Sequence, residues 1–196
     1  MDIQKDTYLT IATPSQGLFK DRGSRFIGFA YPVDTEEEIK EFLKLLKKKY
    51  YDATHHCYAY AIGIERELFR QNDDGEPSGT AGKPIYGQIL SQQLTHIFIV
   101  VVRYYGGTKL GVPGLINAYR EAASDAIANA QIITKILQEK ISLEFDYPDS
   151  EKVMKVLKKE GAKILEQKYE EKCYIQFEIR LRDAARLRKA LKDFIK

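Results

Sequence analysis

The sequence predicts an α+β protein of two domains, an α/β sandwich over 1–134 and a ferredoxin-like domain over 135–196. Three observations carry that expectation. Ile97-Phe98-Ile99-Val100-Val101-Val102 is an unbroken apolar, largely β-branched run, the pattern of a central strand covered on both faces. Leu115, Tyr119, Ala122 and Ala126, with Ile116, Ala123, Ile127 and Ala130 beside them, recur at helical spacing. Near Thr134-Lys135 the pattern restarts on a smaller scale, with its own strands and stripes.

Two strand-like runs open the chain, Tyr8 to Thr13 and Ser24 to Val33, separated by the turn-rich segment Gly17 to Gly23. A helix follows, in which Thr35 and Glu38 form a capping-box pattern and Ile39, Phe42, Leu43 and Leu46 make the buried stripe. Lys47, Lys48 and Lys49 complement the C-terminal end of its dipole. From Thr54 to Ile64 the residues alternate, placing His56, Tyr58, Tyr60 and Ile62 on one face and His55, Cys57, Ala59 and Ala61 on the other. A short polar strand, the Asp73 to Gly79 loop and a helix from about Ala81 to Gln93 lead to the buried strand. The predicted order is ββαββαβα, a sheet of about four strands that presents its polar residues on loops.

In the second part, Ile141, Leu143, Phe145 and Tyr147 alternate along a strand, and Ser150 is placed to cap a helix that carries Val153, Val156 and Leu157 and stops at Gly161. Strands from Lys163 to Tyr169 and from Lys172 to Leu181 pair through Glu170-Glu171, with Cys173, Ile175, Phe177, Ile179 and Leu181 facing inward. Asp183 then caps a helix with Leu187, Leu191 and Phe194 on its inner side. This βαββα order is ferredoxin-like with its usual last strand short or missing, since the sequence stops at Lys196.

Composition excludes several classes. No run approaches the ~18 apolar residues of a membrane helix, and no secretory leader pattern opens the chain, so a soluble, cytoplasmic protein is expected. Cys57 and Cys173 lack metal or disulfide spacing and read as reduced core thiols. Adjacent His55 and His56 point to opposite sides of a strand, which argues against a shared zinc, and neither metal nor cofactor is expected. Residues 1–134 hold 15 Lys+Arg against 16 Asp+Glu and 135–196 hold 16 against 12, so the overall +3 comes from the tail. That basic bias fits nucleic acid and fits solvated helix faces equally.

Two loops carry the chemistry. Arg103, Tyr104, Tyr105, Gly106, Gly107, Thr108, Lys109, Leu110 and Gly111 run from the buried strand into a helix. Such a helix start presents unpaired N–H groups and about half a positive charge, a site for an anion to which Arg103, Lys109 and Arg120 add side-chain charge. Tyr104 and Tyr105 offer rings for unpaired bases. The spacing matches neither the P-loop nor the dinucleotide fingerprint. The second loop, Asp73, Asp74, Gly75, Glu76, Pro77, Ser78, Gly79 and Thr80, has carboxylates enough for Mg²⁺ or acid–base work, yet the same residues suit an ordinary turn. No nucleophile–base pair can be named. On the tail sheet Tyr174, Gln176, Glu178 and Arg180 face outward, and Glu178 counts against an RNA-binding sheet.

These two loops, with Ala53-Thr54-His55-His56-Cys57-Tyr58-Ala59-Tyr60 and Ser24-Arg25-Phe26-Ile27-Gly28, resemble the signature blocks of the IMPACT family in its short bacterial, YigZ-type form. The resemblance implies an N-terminal domain like the second domain of ribosomal protein S-five and a tail like domain V of elongation factor G. It also implies a protein linked to translation or its regulation that acts by binding, with RNA, the ribosome or a translation factor as partner. Eukaryotic members engage a ribosome-associated activator of the starvation kinase through an extra N-terminal module that this sequence is expected to lack. The alternative is an enzyme or sensor acting on a phosphorylated small molecule in the same cleft; a dipeptidase activity is not carried over, because the histidine and carboxylate set of a two-metal peptidase is missing.

Overall fold

The computed structural model describes residues 6–194. They form two compact units, one of Tyr8–Lys135 and one from Ile136 onward that also includes Asp6 and Thr7.

The first unit is built on a five-stranded sheet in the order β2-β3-β6-β4-β5. Its strands are β2 (Ser15–Asp21), β3 (Ser24–Pro32), β4 (His55–Ile62), β5 (Leu68–Asn72) and β6 (Ile97–Tyr104), and every neighbouring pair is antiparallel. Residues 97–103 of β6 are buried throughout, as the apolar run requires. Helices α2 (Gly82–Ser91) and α3 (Gly111–Ala128) cover one face, where Ile85, Ile89, Tyr119 and Ala122 meet Phe26, Cys57, Ala59, Ile99 and Val101. Helix α1 (Glu36–Lys49) covers the other, with Ile39 and Leu46 against Phe29, Tyr60, Phe98, Val100 and Val102. Burying one such aliphatic side chain contributes about 1.5–3 kcal/mol, so this three-layer core fixes the strand register beneath the loops. The Thr35–Glu38 capping box is present in both directions.

Three expectations need correction. The segment read as turn-rich contains the strand β2, and the turn contracts to Arg22-Gly23, whose φ angles of 44° and 79° make a two-residue hairpin of the kind that matches strand twist. Gly17 sits in β2 for a different reason: a Cβ there would strike the α3 backbone at Asp125 and Ala126. The sheet therefore has five strands. The first run, β1 (Thr7–Ile11), leaves that sheet and pairs with β7 (Ile132–Ile136) in a separate ribbon. On α3, Ile116 is half-exposed, because the stripe centred on Leu115, Tyr119, Ala122 and Ala126 turns it away from the sheet.

The second unit follows the predicted βαββα order with β8 (Gln138–Phe145), α4 (Ser150–Glu160), β9 (Lys163–Tyr169), β10 (Cys173–Arg180) and α5 (Leu181–Ala190). Its sheet is antiparallel in the order β8-β10-β9. Cys173, Ile175, Phe177 and Ile179 face the core formed with Val153, Leu157 and Leu187. Gly161 ends α4 at φ 73°. Neither predicted side-chain cap forms: Ser150 is already the first residue of α4, entered from a 3₁₀ turn at Tyr147–Asp149, and Asp183 lies inside α5, paired with Arg182 and Arg186. Leu181 opens α5 instead of closing the strand.

Candidate functional site

Antiparallel register brings the site together. On β6, Arg103 stands opposite Phe26 of β3 and opposite His55 of β4, so the three side chains share the face toward α2 and α3. The chain then runs through Tyr105 to Thr108 into α3, whose first turn has no side-chain cap, so no cap side chain engages the N–H groups of Gly111 and Val112. Gly106 makes this connection possible by lying against the Gly23–Ser24 backbone, where any Cβ would collide, and its N–H donates to Ser24 Oγ at 3.1 Å. The result is a cleft of about 480 Å³ lined by Thr54, His55, Glu76, Pro77, Arg103, Tyr105, Lys109, Leu110, Gly111, Val112 and Leu115.

The acidic loop is tied into the scaffold. The Asp73 carboxylate accepts the N–H groups of Gly79, Ala81 and Gly82 at 2.9, 3.0 and 2.8 Å, doing for α2 what a cap residue does elsewhere. Asp74, at φ 43°, accepts the His56 N–H at 2.7 Å and pairs with Lys47 at 3.3 Å. Glu76 is buried, accepting from Arg103 and, at 2.7 Å, from Tyr119. Thr80 donates back to the Pro77 carbonyl at 2.7 Å, while Ser78 and Gly75 stay on the loop surface side. The three carboxylates weighed for metal or acid–base work against an ordinary turn are thus engaged by protein donors.

Behind Glu76 lies a polar thread through the core. Tyr119 stacks edge-on against Phe26 at 5.1 Å, and the Cys57 thiol sits 3.3 Å from its hydroxyl while reaching the Asp73 carbonyl at 3.0 Å. Burial pushes both the Cys57 thiol and the Tyr119 phenol well up, so each stays protonated and can donate. The Arg103 guanidinium is held between the Phe26 and Tyr105 rings at 5.3 and 5.6 Å, and its Nε has no partner.

Several expected residues converge and others do not. Arg103, Tyr105, Lys109, Gly111, Glu76 and Pro77 line one cleft. Tyr104 points to the opposite face, donating to Asp52 at 2.7 Å under the Arg25 guanidinium, so the two tyrosines cannot serve one ligand together. Arg120 lies along α3, paired with Asn117 and Glu121, and outside the cleft lining. Gly107 and Thr108 are exposed on the connecting loop. His55 was weighed only as a metal ligand in the sequence, and the signal for its place here is the β4–β6 register.

Both units have counterparts among known proteins. Residues 22–127 match the Impact N-terminal domain and residues 143–195 match the domain of unknown function DUF1949. The IMPACT family member YvyE of Bacillus subtilis is 38% identical over 141 residues, which is 72% of this chain and 65% of that protein. The IMPACT family member YigZ of Escherichia coli is 30% identical over 191 residues, covering 96% of this chain and 94% of that one. A crystal structure described only as that of a hypothetical protein superimposes over 96% of this chain and 93% of its own at a TM-score of 0.74, with 29% identity. No helix among the described residues is long and apolar enough to cross a membrane. The chain belongs to the IMPACT family, as a member of its bacterial YigZ type.

Proposed function

We propose that the protein acts by binding in a process linked to translation, and that the cleft between β6 and α3 grips phosphates of single-stranded RNA. The supporting observation is that Lys109, Arg103 and the uncapped first turn of α3 surround one cleft whose rim also offers the half-exposed Tyr105 ring. Positive charge and unpaired N–H groups suit a phosphate, and an exposed ring suits an unstacked base. The link to translation comes from the family resemblance.

The test is the salt dependence of binding to an unstructured RNA, followed by fluorescence anisotropy. Log affinity is expected to fall with log salt at a slope of about 0.7 per neutralised phosphate, and Lys109→Glu should weaken binding and flatten the slope. Arg120→Ala, outside the cleft, should change it less. Salt-independent binding, or none at low salt, overturns the reading. The cleft's volume lies within the ~300–1,000 Å³ of small-molecule sites, which favours a phosphorylated small molecule as the second reading; turnover of any ester in a phosphate-ester panel would move it to first place.

A further inference from the structure

We infer that the cleft contains a ribose subsite in which His55 accepts a hydrogen bond from the 2′-hydroxyl of a ribonucleotide. The inference rests on the reading of the same cleft as a phosphate site and adds the sugar that goes with it.

The argument begins with the tautomer of His55. Its Nδ1 lies 2.8 Å from the Asp74 carbonyl oxygen. A carbonyl can only accept, so Nδ1 carries the hydrogen and the neutral ring presents the Nε2 lone pair. The ring is held there firmly, because Asp74 is itself fixed by the His56 N–H at 2.7 Å and by Asn72 Oδ1, which accepts from the Asp74 N–H at 2.8 Å. His55 lines the cleft, so the acceptor is presented beside the ligand space.

Nε2 is 3.9 Å from Glu76 Oε1, too far for a hydrogen bond. That same Oε1 already accepts from Arg103 and Tyr119 and cannot move to His55 without releasing them. The Nε2 lone pair is therefore the acceptor left for a donor from the cleft. A fully ionised phosphate has no hydrogen to give it and would meet the Glu76 carboxylate beside it. A sugar hydroxyl donates. With a phosphate at Lys109 and the start of α3, and the Tyr105 ring and Val112 giving an apolar wall for a base, His55 Nε2 is left for the sugar between them. The 2′-hydroxyl is the group by which a protein distinguishes RNA from DNA at such a place.

The experiment compares RNA and DNA of one unstructured sequence on the full chain at low salt. RNA should bind about tenfold tighter, the factor that one hydrogen bond of ordinary strength gives. Wild-type protein with 2′-O-methyl RNA, which keeps the sugar and removes the donor, should bind like DNA. In His55→Phe the RNA-to-DNA ratio should fall to about one, with the unfolding midpoint recorded to show that the variant is folded. Displacement of labelled RNA by AMP more strongly than by dAMP supports a site for free ribonucleotides, and displacement by neither, with the RNA preference in place, supports a site within an RNA chain. Equal affinity for RNA and DNA in the wild type, or a ratio that survives His55→Phe, overturns the ribose subsite and leaves the phosphate reading standing. Binding of neither polymer at low salt ends both.

Discussion

Arg103 and Glu76 form an ion pair at the floor of the cleft, with side chains only 7% and 4% exposed. One comes from the centre of the sheet and the other from the loop before α2, so the pair ties loop to sheet as well as balancing charge. It also means that the Arg103 charge is already partly spent before any ligand arrives, and that Lys109, free at the surface, is the more responsive charge for an incoming phosphate.

Removing one partner of a buried pair leaves the other uncompensated. Glu76→Ala is expected to lower stability by about 3–5 kcal/mol in urea unfolding, while Glu76→Leu combined with Arg103→Met, which removes both charges, should recover most of that loss. A loss below about 1 kcal/mol for the single change would show that water reaches the pair.

His56, next along β4, faces the α1 side and is buried with its Nε2 unpartnered. Burial lowers its pKa below the ordinary 6.5, outweighing Asp74, which raises it, while Lys47 and His55 add to the lowering. The unfolded chain then binds a proton more readily than the native one, so this contribution is complete above about pH 6.5 and is lost as pH falls toward the native value. Wild-type stability should drop between pH 7 and 5 more steeply than that of His56→Gln. Parallel pH profiles for the two would contradict the assignment.

What the sequence revealed and what it hid divide along a physical line. The buried run of β6, the Thr35–Glu38 box and the Gly161 stop are local, and each was readable because its cause lies within a few residues. Strand β2 was hidden because Gly17 looks like punctuation, whereas its reason is the close approach of α3 more than a hundred residues later. The pairing of β1 with β7 was hidden likewise. In the site, the charges and glycines of the β6–α3 connection were visible as types. That Glu76 would occupy Arg103, that Asp73 would cap α2, and that His55 would stand opposite Arg103 all depend on register and loop path, which no spacing rule encodes.

The same long-range logic governs the second unit. Asp6 lies 174 residues before Arg180, yet its carboxylate accepts Nε at 2.5 Å and Nη2 at 3.0 Å from that guanidinium, with Arg182 Nε at 3.9 Å. Its carbonyl accepts the Leu137 N–H at 2.8 Å, so backbone and side chain both anchor it to this unit. The hydrogen bond from Arg180 holds the Asp6 pKa below its ordinary 3.8, against the opposing effect of burial. A carboxylate with a lowered native pKa gives stability that is present above about pH 3.8 and is lost as pH falls through the lower native value. Asp6→Asn should therefore speed amide exchange in β8, β10 and α5 at pH 7 and leave the exchange of β3, β4 and β6 unchanged. It should also remove part of the acid-induced loss of stability seen in the wild type below pH 3.8. A fragment that starts at Ile136 lacks this partner and is expected to unfold at lower temperature than the same segment in the full chain, whereas Tyr8–Lys135 keeps its whole sheet and should fold alone. If Asp6→Asn instead slows or leaves unchanged the exchange of β10, the anchor contributes nothing to the second unit and the fragment should match the full chain.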